Sequence, residues 1–324
     1  MHDLHRDYII ACHAQVLSSI RSGSFHLVVS VEDLDCLDLI VWLRTGENAA
    51  ARLVVSQSRV SRAVQTVCDL FGLSLVKSNG EWQVIGDQAL LNLERRVHQE
   101  HRWRRGLPLR IEAQYYSGPL YCHPIPEDWV AGNFDYLDIH TPLQHLRTGV
   151  IDAWIGCYPD VPEASDPEFV CFHLTRLPTH LVVNANHPLL EKGDDITLDD
   201  VRRYPSLALV DGAFPKMQAL LQELGLWNLP LQLQRYCQQH WEGRVASDLV
   251  VGYATAFTMG LFDHAQVILP VQIPLTVGDS LVVRREYASH PILLRLLARL
   301  RSKAQHLAAS IPDVFLPESI PPER

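Results

Sequence analysis

The sequence predicts an α/β protein: a small helical head closed by a β-hairpin, one long connecting helix, and a larger domain built on strand–helix alternation. Three observations predict it. Short amphipathic segments crowd the stretch from Asp35 to about Gly86. Asp87 to Arg105 then keeps the apolar spacing of a single helix (Leu90, Leu91, Leu93, Val97). Beyond the break Gly106-Leu107-Pro108, strand and helix patterns alternate, which is the mark of an α/β sheet.

The chain has 324 residues, room for two or three domains of roughly 100–200 residues each. Its net charge is −9, unevenly placed. Residues 1–105 hold 12 Lys+Arg and 12 Asp+Glu; residues 106–324 hold 16 and 25, so the whole excess lies in the larger domain. Any nucleic-acid contact must therefore come from a local patch. The seven cysteines are scattered and never form CxxC, which fits a reducing cytoplasm. No run approaches the roughly 20 apolar residues that span a membrane, and none reads as a signal peptide. The expected location is cytoplasmic, with no membrane partner.

Residues 1–33 form a leader in which Tyr8, Ile9, Ala11, Cys12, Val16 and Ile20 fall on one helical face. Two roles stay open for it: a helix added to a dimer interface, or no fixed structure. Leu37, Ile40, Val41 and Arg44 give the first helix of the head, ended by Gly46. Ala49, Ala50 and Leu53 give a short second helix, and Val54-Val55 an apolar turn with Val55 plugging the corner. Ser56 is a good N-cap for a third helix running to Phe71, closed by Gly72. Leu73–Val76 and Trp82–Ile85 read as a hairpin around Ser78-Asn79-Gly80. In the larger domain the strand candidates are 109–115, 136–140, 153–157, 179–184, 206–210 and 280–284. The helix candidates are 142–149, 198–203, 216–224, 247–253 and 292–306, with a loose tail after them.

Two helices joined by a tight turn make a helix-turn-helix, whose second helix lies in the major groove, and the hairpin is its wing. In the third helix Val60, Ala63, Val64 and Val67 share one face, and Gln57, Arg59 and Arg62 lie largely on the other. Gln pairs with adenine edges, and Arg with guanine edges or phosphate. The candidate DNA contacts are Ser56, Gln57, Ser58, Arg59, Ser61, Arg62 and, on the wing, Lys77. The plainer alternative for the charged residues is a solvated helix face.

This stretch resembles the LysR-type transcriptional regulators. The shared features are Ala49-Ala50, Leu53, Ser56-Gln57 with Ser61-Arg62, Phe71-Gly72-Leu73-Ser74-Leu75, and a long linker helix over Asp87–Arg105. The resemblance continues through Gly149-Val150-Ile151-Asp152-Ala153-Trp154-Ile155-Gly156 and Asn186-His187-Pro188-Leu189, covering about residues 34 to 306. Three departures bear on operator sequence and affinity. Gly46-Glu47-Asn48 lacks the usual aromatic, Ser58 stands where Pro is common, and Val76-Lys77-Ser78 lacks an arginine.

The resemblance implies a winged helix-turn-helix, a linker helix, and a two-subdomain α/β effector domain built like a periplasmic binding protein. The matching domains are a leader at 1–33, the head at 34–86, a linker and dimerisation helix at 87–106, an effector-binding domain at 107–306 and a tail at 307–324. Helix N-termini line such clefts and favour an anionic small-molecule effector. By position, the candidate effector residues are Ser117, Gly118, Thr141, Val210, Asp211 and Phe214. For Ser117 and Thr141, ordinary helix capping is the equal alternative.

The sixteen histidines show no structural zinc spacing, and no cofactor is expected. No Gly-x-Ser-x-Gly, phosphate loop or dinucleotide fingerprint appears, so no catalysis is expected. Cys157 reads as a buried structural cysteine or, less simply, a redox sensor. Arg102–Arg105 serves either as a DNA-backbone contact or as a helix-end cap. The apolar face of 90–97 reads as a coiled-coil seam, giving a homodimer or homotetramer. The expected partners are double-stranded promoter DNA and a small molecule. The rival reading is a ligand-binding module derived from the same family that no longer binds DNA specifically.

Overall fold

The computed structural model describes residues 29–247 and 249–317; the leader's apolar face at Tyr8–Ile20 lies outside the described residues. The chain divides into two compact units, with the boundary between Glu94 and Arg95.

The first unit is three helices and a hairpin. Ser30 caps α1 (Val31–Leu43) by accepting the Asp33 N–H at 3.1 Å, so this helix starts ahead of Asp35 and takes in the end of the expected leader. Gly46 does not end it. Arg44 takes the left-handed conformation as its C-cap, and Thr45 caps α2 (Gly46–Leu53) through the Asn48 N–H at 3.0 Å. A hydroxyl one residue ahead of Gly46 starts the next helix, which is why the glycine falls inside it. The turn after α2 also departs from expectation. Val54 sits at φ 56° with 91% of its surface exposed, and Val55 is exposed too, so neither plugs the corner. Leu37, Trp42, Ala49, Val60 and Val67 fill the unit's interior instead.

α3 (Gln57–Phe71) follows, with Ser56 accepting the Arg59 N–H and Gly72 closing it at φ 64°. Its buried face is Val60, Ala63, Val64, Val67 and Cys68. β1 (Ser74–Ser78) and β2 (Glu81–Ile85) pair antiparallel around Asn79-Gly80, both at positive φ as a two-residue hairpin turn requires. The Trp82 indole donates to the Arg44 carbonyl at 2.8 Å and ties the hairpin to the end of α1.

α4 (Ala89–Arg105) carries the boundary between units. Its C-terminal half belongs to the second unit's core. Trp103 is buried, stacked on Tyr287 at 4.6 Å and edge-on to Trp129. Arg102 is buried against Asp152 at 3.1 Å, and it also donates to the Gly149 carbonyl. Asp152 accepts in addition from Gln99 and from the Arg110 N–H. Arg102 is therefore an internal anchor across the Gly106-Leu107-Pro108 break, and not a DNA-backbone contact.

The second unit has two lobes that share one strand. Lobe I holds β3 (Leu109–Ala113), α5 (Ser117–Cys122), β4 (Trp129–Ala131), α6 (His140–Thr148), β5 (Ala153–Tyr158) and β6 (Phe169–His173). Lobe II holds β7 (Leu177–Asn184), α7 (Leu198–Val201), β8 (Leu207–Ala208), α8 (Pro215–Glu223), β9 (Leu229–Pro230) and β10 (Gly252–Ala254). The shared strand is β11 (Gln266–Arg284). Its first part pairs with β7, and from Gly278 onward it pairs with β5 and β6. At that crossing a Cβ on Gly278 would lie 2.0 Å from the Thr175 carbonyl oxygen, so only glycine fits. α9 (Pro291–Ser310) returns to cover lobe I with Leu293, Leu296, Leu297 and Leu300.

Four expectations for this unit fail. Residues 136–140 make no strand: Tyr136 forms a single bridge to Arg235, and the neighbour of β3 is β4. Asp138, just ahead of α6, accepts the Thr141 N–H at 2.6 Å as the chain turns into that helix. The helix expected over 247–253 is not found among its described residues; Gly252 opens edge strand β10 (Gly252–Ala254), which pairs with β7. β11 begins at Gln266, well before Ser280, and β6 has no counterpart among the expected strands. The C-terminal segment is not loose through its described part. α9 runs to Ser310, Val314 is buried, and Phe315 and Arg176 exchange backbone hydrogen bonds at 2.8 and 2.9 Å. Among the described residues no helix is long and apolar enough to cross a membrane.

Candidate functional site

On the first unit, α3 presents the residues opposite its buried face to solvent. Gln57, Ser58, Ser61 and Arg62 are exposed, and Ser56, also exposed, is spent in part on its own cap. Ser58 and Ser56 share a hydroxyl contact at 3.0 Å. Arg62 lies along the helix, its Nε donating to the Ser58 carbonyl at 3.3 Å. Arg59 differs from the others: its guanidinium pairs with Asp33 on α1 at 2.7 Å. Lys77, on β1, lies 5.3 Å from the centre of the Trp82 ring with its side chain exposed. The surface thus offers amide, hydroxyl and guanidinium groups along one helix, with one arginine held by an internal carboxylate.

In the second unit a cavity of about 100 Å³ lies where the two lobes meet. The first wall follows directly from β3, whose end delivers Gln114, Tyr115 and Tyr116, and β5 adds Cys157. Lobe II supplies Thr179 from β7, Phe214 and Met217 at the start of α8, Trp227 and Trp241 from its loops, and Tyr253 from β10. Leu275 and Val277, on the shared strand, form its floor. The lobes are joined beside it by backbone hydrogen bonds. The Ile139 N–H donates to Ala213 at 3.1 Å, and the Tyr236 N–H to Asp135 at 2.6 Å. Asp160, on the loop after β5, accepts the N–H groups of Lys216 and Met217 at 2.7 and 3.0 Å.

The electrostatics of the cavity run opposite to an anion site. No Lys, Arg or His is among its lining residues. Burial pushes the Cys157 thiol up to about 12, so it stays protonated at neutral pH and fits neither a nucleophile nor a redox sensor. Glu242, buried beside the phenols of Tyr236 and Tyr115, is pushed up to about 7 by desolvation. Two of the helix starts that would have favoured an anion are already used, while short α5, which follows Tyr116, has no side-chain cap. Asp160 occupies the start of α8, and Asp138 accepts the Thr141 N–H at the start of α6 at 2.6 Å. Among the buried polar atoms on the walls, Gln114 Nε2 and Thr179 Oγ1 have no hydrogen-bond partner within the protein, and the Tyr116 hydroxyl lies beside the Cys157 thiol.

Of the six effector candidates from sequence, Phe214 lines the cavity and the other five do not. Ser117 is fully buried and its hydroxyl turns back to the Gln114 carbonyl at 3.3 Å. Gly118 is a packing position, where a Cβ would meet the Phe134 ring at 2.3 Å. Thr141 lies inside α6 rather than capping it. Val210 and Asp211 form the turn ahead of α8, where Asp211 accepts from Gln218 and Val210 accepts the Ala213 N–H. The residues the sequence reading missed stand one to three places before Ser117, or on strand β7 and the lobe II loops. Three successive residues with large polar or aromatic side chains after an apolar strand, Gln114-Tyr115-Tyr116, were the available signal. Among the described residues no group of three or more His, Cys, Asp or Glu is placed to hold a metal ion.

Comparison with known proteins places this geometry. The family model for the LysR substrate binding domain matches residues 135–305. A full-length OxyR variant from Pseudomonas aeruginosa has the same fold at TM-score 0.54, with 18% identity over 85% of this chain and 94% of that one. An OxyR variant from Corynebacterium glutamicum superposes at TM-score 0.50, with 16% identity over 87% and 94%. Full-length CbnR, solved with its target DNA, superposes at TM-score 0.50, with 17% identity over 85% of this chain and all of that one. No curated protein sequence matches the chain significantly.

Proposed function

The chain belongs to the LysR family of transcriptional regulators, and on that premise we propose that it binds operator DNA through a winged helix-turn-helix and answers to a small molecule held between its lobes. α2 and α3 are the helix-turn-helix, α3 is the helix that enters the major groove, and the β1–β2 hairpin is the wing. The observation that carries this is the exposed row Gln57, Ser58, Ser61 and Arg62, which lies opposite the packed face of α3. Amide and guanidinium side chains on such a row read adenine and guanine edges, and the hydroxyls reach phosphates.

Two heads are needed for a two-fold operator. Leu90, Leu93 and Val97 are exposed on α4 at spacings of three and four. That is the seam along which two α4 helices pair, as a homodimer or within a tetramer. The small molecule acts allosterically only if its affinity differs between two arrangements of the lobes, and the shared strand β11 offers the element that joins them.

The test is a footprint on the promoter region upstream of the protein's own gene, repeated with Gln57→Ala and Arg62→Ala. Protection that is lost in both variants is the expected result. No protection at low salt from a folded oligomer refutes the operator reading and favours the rival, a ligand-binding module without specific DNA recognition.

A further inference from the structure

An apolar cavity of roughly 150 Å³ accommodates one benzene ring, so a space of about 100 Å³ is on the scale of a single small ring compound. Its walls at Tyr116, Phe214, Trp227 and Trp241 offer flat apolar faces. Two observations on these walls point to what fills it. The first is the pair of unpartnered buried atoms, Gln114 Nε2 and Thr179 Oγ1. An amide N–H₂ only donates and a hydroxyl can donate, and a buried donor without an acceptor costs free energy. An oxygen acceptor on a ligand relieves that cost.

The second observation is the absence of compensation for a ligand charge. No cationic side chain lines the space, the acids Glu242, Asp279 and Asp160 are among the groups whose fields reach its walls, and the starts of α6 and α8 already hold protein carboxylates. A ligand carboxylate brought here would lose its hydration with no cation on the walls to offset its charge.

We infer that the inter-lobe cavity takes a small uncharged ring compound bearing one oxygen acceptor, and discriminates against the carboxylate of the same shape. This rests on reading the cavity as the effector site. Gln114 and Thr179 hold the oxygen, and the aromatic walls hold the ring.

Calorimetry on the full-length protein at pH 7 tests this with three probes of matched size: benzamide, benzoate and benzylammonium. Benzamide is expected to bind at least tenfold more tightly than either ion. Thr179→Val, which keeps the shape and removes the hydroxyl, is expected to weaken benzamide three- to tenfold and to leave toluene unchanged. Benzoate or benzylammonium binding as tightly as benzamide overturns the inference, as does no benzamide binding at millimolar concentration. Ala254→Leu, on the cavity wall in β10, separates this from failure of the site reading. Benzamide binding that survives Ala254→Leu with unchanged affinity places the ligand elsewhere, and the site reading falls. Benzoate binding best and lost in Ala254→Leu leaves the site standing and overturns the charge rule alone.

Discussion

The carboxylate of Asp160 accepts the backbone N–H of Lys216 at 2.7 Å, so a side chain from one lobe caps a helix of the other. The Met217 N–H adds a second bond at 3.0 Å, and Lys216 pairs outward with Glu163. Asp160 is nearly inaccessible to solvent, so its loss leaves buried donors unsatisfied. Asp160→Ala is expected to cost about 1–3 kcal/mol. Scanning calorimetry should show the melting temperature of the effector domain several degrees lower, with Asp160→Asn intermediate because one acceptor oxygen remains. An unchanged melting temperature in Asp160→Ala would show that the contact holds nothing together.

Asp279 gives the effector domain a pH dependence of definite sign. Its side chain is wholly buried at the point where β11 crosses between lobes, with the Thr175 hydroxyl donating to it at 2.9 Å and Tyr121, Tyr116 and Arg176 nearby. Burial pushes this carboxyl up to about 7, against about 4 in an unfolded chain. The folded state then binds the proton more tightly, so the stabilisation is complete below about pH 4 and is lost as pH rises toward 7. Asp279→Asn removes the titration. Its stability relative to wild type, from urea unfolding, should improve between pH 5 and pH 8 by on the order of 1–3 kcal/mol. An equal difference at both pH values would refute the assignment.

Arg59 is the arginine on α3 that the sequence alone ranks with Arg62 and that the fold holds back through Asp33. Asp33→Asn should release it. Affinity for non-specific duplex should rise, and the slope of log K against log salt should steepen by about one unit, the signature of one more phosphate contact. A slope unchanged within error would place Arg59 away from the DNA backbone.

Val54 carries a strained backbone for no packing return, at φ 56° and almost fully exposed. A β-branched residue there costs roughly 1–2 kcal/mol, part of which glycine gives back in unfolded-state entropy. Val54→Gly is expected to stabilise the head by about 0.5–1 kcal/mol, read from the denaturant midpoint. A lower midpoint would mean that the valine side chain has a contact which the fold does not reveal.

The parts of this protein that could be read from sequence are those set by local periodicity. α3 with its Ser56 cap and Gly72 stop, the Asn79-Gly80 hairpin, and strands β3, β5 and β7 all follow from spacing and turn chemistry. The failures are places where tertiary context decided. Residues 129–131 join β3 while Asp138 accepts the Thr141 N–H at the start of α6, and Gly252–Ala254 extends along the edge of β7. For the candidate site, counting from strand ends led to Ser117 and Thr141, whose hydroxyl and amide are used locally. The aromatic walls come from five separate segments, and no single stretch of sequence brings them together.

The passage of β11 through both lobes also sets the order in which the protein can be completed during synthesis. Lobe II takes nearly all of its sheet from one uninterrupted stretch, β7 through the first part of β11. Lobe I cannot close its sheet until the end of β11 has left the ribosome, and α9, which covers its core, is made later still. The lobe begun first is therefore finished last, and its apolar strands must wait, uncovered, through the synthesis of about a hundred further residues.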